Sequence, residues 1–486
     1  MQLIYDIVKK LKKQEIRQIR HQIKHASFEY EKMGKLFELV TRYDQRDEGF
    51  YSQKLYGKEP DNTFRVTKSR LKRMLENAIL NDKSLTVYPP AINARLQVQK
   101  KLLQGEILLG RGAYLASKNL LLQVISSAQK YDLYQELFEA ELLLYRNMSI
   151  RSSVKEFEKK TAKLLAYNQL NASINEAMIL YYSISNLILN KKTLKQEQIE
   201  EVRETIDRMK EICETTKHPQ VQNLYFLSEI YYLQIVRKYK EALTFCQQYL
   251  ELVSENNILR SDQRLATAYG QLTTVNLHLG NLEEARKNAE LTMELFSKEE
   301  MNYLQSMEVA FVIEFHAGNF EQAQTLINEA REHPEMQSYK LLEAKWSYFQ
   351  ACVYFKMEEY QKAYLELNHT TPLLADKYGF NLSVRLLEIM LLFELGHLDM
   401  METKILNMRQ FIKRTQKGEE FVRPSTLIRI LIKWYKNSYD FNQTFEDSSD
   451  FLEKASQTLP SPYMPGNSEF IRLEEWMRDK RETQNA

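Results

Sequence analysis

Two histidines one helical turn apart, His21 and His25, are the pairing in this sequence with a metal-chelating spacing. No cysteine and no acid on the same turn accompanies them, and on a basic helix such a pair reads as two surface residues. Cys213, Cys246 and Cys352 are too widely separated for a zinc set and odd in number, so no disulfide framework follows from them. They read as small buried hydrophobes, which suits a reducing cytoplasm. The acid pairs Glu283-Glu284 and Glu299-Glu300 have the composition of a general acid–base couple, but each sits at a predicted helix start, where the helix dipole favours carboxylates. His316 and His397 flank predicted inter-helix turns and read as capping or packing residues. There is no phosphate-binding Gly-rich loop, no His-Glu-x-x-His and no Gly-x-Ser-x-Gly. The expectation is a chain with no catalytic residue, no metal and no cofactor: not an enzyme.

Cations supply a second possible chemistry. Residues 1–90 hold 19 Lys and Arg against 12 Asp and Glu, whereas the remainder holds 48 against 53. A helix over 2–25 carries Ile4, Ile7, Val8, Leu11, Ile16, Ile19 and Ile23 at helical spacing, with lysines and arginines opposite. Helices near 28–43 and 47–56 follow, then a loop at Gly57 to Asn62. A further helix, capped by Thr63 or Thr67, runs to about Asn81 and crowds Arg65, Lys68, Arg70, Lys72 and Arg73 together. A basic last helix behind two short ones suits a nucleic-acid groove, with Arg65, Lys68 and Arg73 as contacts. The bland alternative is a helical cap whose Lys and Arg stems cover the first hairpin. Leu71, Met74, Leu75, Ala78 and Ile79 bury one face in either case.

What must position any site is a repeat. Tyr239-Lys240-Glu241-Ala242, Leu282-Glu283-Glu284-Ala285, Phe320-Glu321-Gln322-Ala323, Tyr360-Gln361-Lys362-Ala363 and Leu398-Asp399-Met400-Met401 share one pattern. Their last positions recur after 43, 38, 40 and 38 residues, and Gly280, Gly318 and Gly396 each stand five residues before one of them. A period in this range between apolar helical stretches signals stacked helical hairpins. Low usage of turn formers, with 13 Gly and 10 Pro in 486 residues, favours an all-helical chain. Hairpins are predicted at 92–109 with 113–129, 132–148 with 152–168, 173–190 with 196–215, and onward to 425–440 with 444–458.

Residues 237–401 resemble the tetratricopeptide repeat family. With Ala285 as the alanine opening a second helix, Tyr269 and Leu272 fall near the family's large apolar positions and Thr273 at its small one. With Ala363, Ala351 takes the small position and Tyr354 a large one. The period exceeds the usual 34, Phe311 replaces a small residue, and Met401 replaces Ala. The resemblance implies an all-α, right-handed superhelical solenoid of stacked antiparallel hairpins. It also implies protein or peptide binding on the concave face formed by the first helix of each pair, which puts Gln305, Glu308, Lys345 and Tyr348 toward the groove. The Asn and Lys pairs with which some members clamp a peptide carboxylate are not evident.

The expected organisation is a basic helical region over 1–90, ending at Pro89-Pro90, a solenoid over 91–459, and a C-terminal part over 460–486. In the last, a loop from Pro460 to Gly466 leads to a helix with Phe470, Leu473, Trp476 and Met477 on one face, covering the end of the stack, and a frayed tail. No apolar run of signal-peptide or membrane-spanning length is present, so a cytoplasmic protein is expected. The leading function is a scaffold that holds a protein or peptide. The alternative is a nucleic-acid-binding regulator that binds through its N-terminal helices, with the repeats as sensor.

Overall fold

The computed structural model describes residues 1–11, 13–24, 31–80, 90–148, 153–190, 194–256, 259–336, 339–375, 380–415, 422–457 and 469–485. All the regular structure among them is helical. His25, Pro89, the Pro460–Gly466 loop and Ala486 lie outside the described residues. Two compact units are present, Met1–Leu120 and Leu121–Ala486.

The first unit holds α1 (Gln2–Lys10), α2 (Lys13–Lys24), α3 (Glu31–Arg42), α4 (Glu48–Tyr56), α5 (Asn62–Leu80), α6 (Pro90–Gly110) and the start of α7 (Tyr114–Lys130). The single helix expected over 2–25 is broken: Leu11 is extended, with φ −71 and ψ 140. The break lets two apolar stripes wrap one core. Ile4 and Val8 from α1 and Ile19 from α2 join Met33, Leu36, Phe37, Val40, Tyr51, Phe64, Leu71 and Leu75. Asp47 caps α4 by accepting from the Phe50 amide at 2.8 Å, and Gly57, at φ 67, ends it. Asp61 caps α5 by accepting from the Phe64 amide at 3.0 Å. The expected caps, Thr63 and Thr67, both lie inside the helix, and Thr67 turns its hydroxyl back onto the Thr63 carbonyl at 3.1 Å.

In the second unit, α8 (Tyr134–Met148) is followed by α9 (Val154–Asn190), a continuous helix of 37 residues. The break expected between 168 and 173 does not occur, because Gln169, Leu170, Asn171 and Ala172 include no Gly or Pro to interrupt the helix. Beyond α10 (Gln196–Thr216) the hairpins become regular: α11 (Pro219–Ile235) with α12 (Tyr239–Glu255), α13 (Asp262–Leu279) with α14 (Leu282–Glu294), and α15 (Met301–Ala317) with α16 (Phe320–Glu332). Next come α17 (Lys340–Lys356) with α18 (Tyr360–Glu366), extended by a 3-10 helix at Leu367–Ala375, and α19 (Phe380–Glu394) with α20 (Leu398–Thr415). The chain ends with α21 (Val422–Lys436), α22 (Phe441–Asp447), α23 (Ser449–Gln457) and α24 (Leu473–Asn485). The tail expected to fray from Arg478 is helical to Asn485.

One turn geometry joins these hairpins. Arg237, Gly280, Gly318, Glu358 and Gly396 all take left-handed φ values between 59 and 77. The amide after each donates to the carbonyl five residues back, as in Asn281 to Asn276 at 2.9 Å, Asn319 to Glu314 at 2.9 Å and Glu359 to Tyr354 at 2.9 Å. Five residues past each turn sits the recurring residue: Ala242, Ala285, Ala323, Ala363 and Met401 are all fully buried at a helix crossing. The same turn recurs at Gly112 and Asp132, where Ala113 donates to Leu108 and Leu133 to Ala128, both at 2.9 Å. The fold is an all-α stack of antiparallel helical hairpins.

Candidate functional site

The repeat makes first-helix positions comparable. Eighteen residues before the recurring turn residue stand Thr267, Gln305, Lys345 and Ser383; fifteen before it stand Gly270, Glu308, Tyr348 and Leu386. Along the stack these positions pass from open to closed. Gln305 is exposed and Thr267, Gly270, Glu308 and Lys345 are half-buried, whereas Tyr348, Ser383 and Leu386 are buried. The inner face is therefore open over α13 and α15 and sealed over α17 and α19.

The open part is a cleft of about 330 Å³ between α13, α14 and α15. Gln263, Thr267, Gly270 and Gln271 form one wall, and Asn302, Gln305, Ser306 and Val309 the other; Ala289 and Thr292 of α14, and Phe296 just beyond its end, add to the lining. No ionisable side chain lines it. Gln271 also accepts from the Gln234 amide of α11 at 2.8 Å, which extends the row of amides toward the preceding hairpin. Gly270 stands in the middle of α13, and a Cβ built there meets nothing within 4 Å. A helix-interior glycine is about 1 kcal/mol less favourable than alanine, and no close packing requires it here. Its effect is to deepen the cleft.

Of the four residues placed toward a groove by resemblance, Gln305 lines this cleft. Glu308 and Lys345 face each other instead, joined by an ion pair of 2.5 Å between α15 and α17. The Lys345 ammonium also lies 5.8 Å from the Phe349 ring centre and 5.7 Å from that of Phe380, so it is engaged within the fold. Tyr348 is the correction. It is 1% exposed and packs against Phe349, Phe380 and Phe470, making it a core residue with no surface for a ligand. The cover comes from a segment about 120 residues later in the chain, which local sequence pattern does not reveal. Gly270, Thr267 and Asn302 were missed; the available signal was a lone glycine inside a helical stretch.

Around the cleft, buried ionic contacts fix the helices. Glu314, near the end of α15, receives Arg286 at 2.6 and 3.1 Å and Asn319 at 2.7 Å. Burial pushes its carboxyl up, but these hydrogen bonds win and hold it below its ordinary value. The contact ties α14 to the α15–α16 turn. Gln324 and Gln350 exchange side-chain hydrogen bonds between α16 and α17.

In the first unit, Arg65 and Arg73 are exposed on α5. Lys68 is paired with Glu48 at 2.7 Å, and Glu48 also receives the N-terminal ammonium at 3.4 Å. Lys68 therefore ties α5 to the start of α4, and its charge is already answered. Among the described residues no group of three metal-ligating side chains is assembled, and no helix is long and apolar enough to cross a membrane.

No protein-family model and no curated protein matches the chain. Among solved structures it is similar to the apo form of RapI, at 13% identity over 75% of this chain and 98% of that one, with a TM-score of 0.47. It is also similar to NprR in complex with its cognate peptide NprX, at 17% identity over 71% and 98%, with a TM-score of 0.42. A Rap protein complexed with competence and sporulation factor is similar at 13% identity over 80% and 99%, with a TM-score of 0.39. These likenesses are too distant to carry a functional argument.

Proposed function

We propose that this chain is a non-enzymatic scaffold that holds a protein or peptide segment in the cleft between α13 and α15. The observation that carries this is the cleft's lining: amides, hydroxyls and a glycine interspersed with Ala266, Ala289, Phe296 and Val309, with no ionisable group. Side-chain amides donate and accept at once, as a peptide main chain does, so a row of them suits an extended backbone. A charged terminus would find no counter-ion on these walls. The three thiols fit a reducing, cytoplasmic setting: Cys246 and Cys352 are buried, and burial pushes the Cys246 thiol up to about 12, far from reactive.

The test places a photo-crosslinking residue at Gln305, in the cleft, and at Glu283, which is 89% exposed on α14. Cross-linked peptides should accumulate from position 305 and vanish when Gly270→Phe fills the cleft, while circular dichroism stays helical. Equal cross-linking from both positions would sink the reading. The second reading, nucleic-acid binding through residues 1–90, draws on exposed Arg65 and Arg73 but loses Lys68 to Glu48. A salt titration with duplex DNA separates the two, because phosphate contacts make affinity fall steeply with salt.

A further inference from the structure

The sealed half of the inner face is closed by the chain's own C-terminal segment. Phe470 inserts among first-helix side chains, with ring centres 5.6 Å from Phe311, 5.3 Å from Phe315 and 5.1 Å from Phe349. Glu469 meets Arg423 of α21 through two contacts of 2.6 and 3.0 Å. Trp476 of α24 donates to Glu394 of α19 at 2.7 Å, and Lys480 pairs with the other oxygen of that carboxylate at 2.7 Å. This is more than the expected cover for the end of a stack, because Phe470 reaches back across α17 to α15.

Two features describe how this segment is held. Like the other helices among the described residues, 469–485 is joined to its neighbours by side chains and by no backbone–backbone hydrogen bond. Its polar anchor is also imperfect. Arg423 answers two buried carboxylates, Glu469 and Glu474, and among the described residues Glu474 Oε2 is buried without a hydrogen-bond partner. A buried carboxylate oxygen left unmatched weakens the grip of the segment on its seat.

We propose that residues 469–480 are a built-in ligand: in cis they fill a receptor site over α15, α17 and α19 that accepts a partner segment of the same chemistry, an acid followed directly by Phe, with Trp further along. The aromatic seat and the Arg423 guanidinium recognise that pair, and the tethered copy competes with any copy offered in trans. This goes beyond the reading of the open cleft and does not depend on it; loss of binding there would leave it standing.

The probe is a fluorescently labelled synthetic peptide with the sequence of residues 469–480, titrated by anisotropy against the full chain and against the full chain carrying Phe470→Ala. Weakening the tethered copy raises the fraction of free seats, so the variant should bind roughly tenfold tighter than the parent. Adding Phe311→Ala to that variant should abolish the gain. Equal affinity for both proteins, with the variant's helicity intact, overturns the proposal. Should Phe470→Ala fail to fold, hydrogen exchange on the unmodified chain decides. Amides of 473–480 exchanging faster than those of α15 and α17 support a displaceable segment; equal protection means a fixed part of the core and overturns it.

Discussion

Arg423 offers the sharpest test of how the C-terminal segment is held. Its guanidinium donates to both oxygens of Glu469, to Glu474 at 2.8 Å and to the Ala455 carbonyl at 2.6 Å. Replacing it with Met keeps much of the apolar stem and strands two buried carboxylates. Breaking a buried pair by removing one partner costs about 3–5 kcal/mol. A ceiling follows from protonation: neutralising a carboxyl of ordinary pKa at pH 7 costs about 3.5 kcal/mol, so each stranded group adds at most about that much. Detachment of the segment is the other escape, and it limits the loss to the free energy that seats it. The expected loss for Arg423→Met is therefore about 3–5 kcal/mol, concentrated in α24. Repeat stacks do not melt as one unit, so the local opening energy from hydrogen exchange at 473–480 is the proper assay, with the emission of buried Trp476 as a second signal. Burial already pushes the Glu469 carboxyl above its ordinary value despite the guanidinium. A raised folded value makes stability grow as pH falls through it, so the penalty in Arg423→Met should shrink on acidification from pH 7 to pH 5. Adding Glu469→Gln and Glu474→Gln should restore most of the loss. A change below about 1 kcal/mol, or a loss spread evenly over α11 to α20, would refute the reasoning.

Two further outcomes are expected. Ala323 is fully buried at a helix crossing, so Ala323→Arg should cost about 3 kcal/mol or more and lower the melting temperature; an unchanged value would mean that the hairpin seam lies elsewhere. Burial holds His278 and His316 down to about 4, helped by Arg237 beside the first and Arg472 beside the second. The unfolded chain then binds more protons than the native one between pH 6.5 and 4. Stability is full above pH 6.5 and falls as pH drops through that window, by about 1–2 kcal/mol for each histidine at pH 5. Denaturant unfolding at pH 7 and pH 5 measures the loss, and His278→Gln should flatten the slope.

The regular hairpins were legible because their turns use glycine. Gly280, Gly318 and Gly396 marked three turns, while Arg237, Glu358 and Asp132 adopt the same left-handed geometry with side chains that give no such signal. The length of α9 was misjudged because a hairpin rhythm was carried into a stretch that holds no helix breaker. Gln305 was placed toward a groove by the resemblance, as a residue on the first helix of its pair, and it lines the cleft. The same resemblance failed for Tyr348, which is buried, and Lys345, though placed on the same face, is engaged within the fold. Tyr348 has the right helical phase, but Phe470 covers it from far along the chain, and no local period encodes a non-local cover.

The hairpin turns themselves have a consequence for how such a chain changes length. Within a hairpin the connection is nearly constant, as at 280–281 and 318–319, while the connections between hairpins and the helix lengths vary; α12 spans Tyr239–Glu255 and α14 only Leu282–Glu294. The uneven spacing of the repeat is therefore absorbed away from the turns. A chain lacking residues 281–318 would join Gly280 directly to Asn319 and recreate a junction it already contains, Gly318-Asn319. Recombination at these points leaves no scar, so whole hairpins can be gained or lost while every surviving turn keeps its geometry.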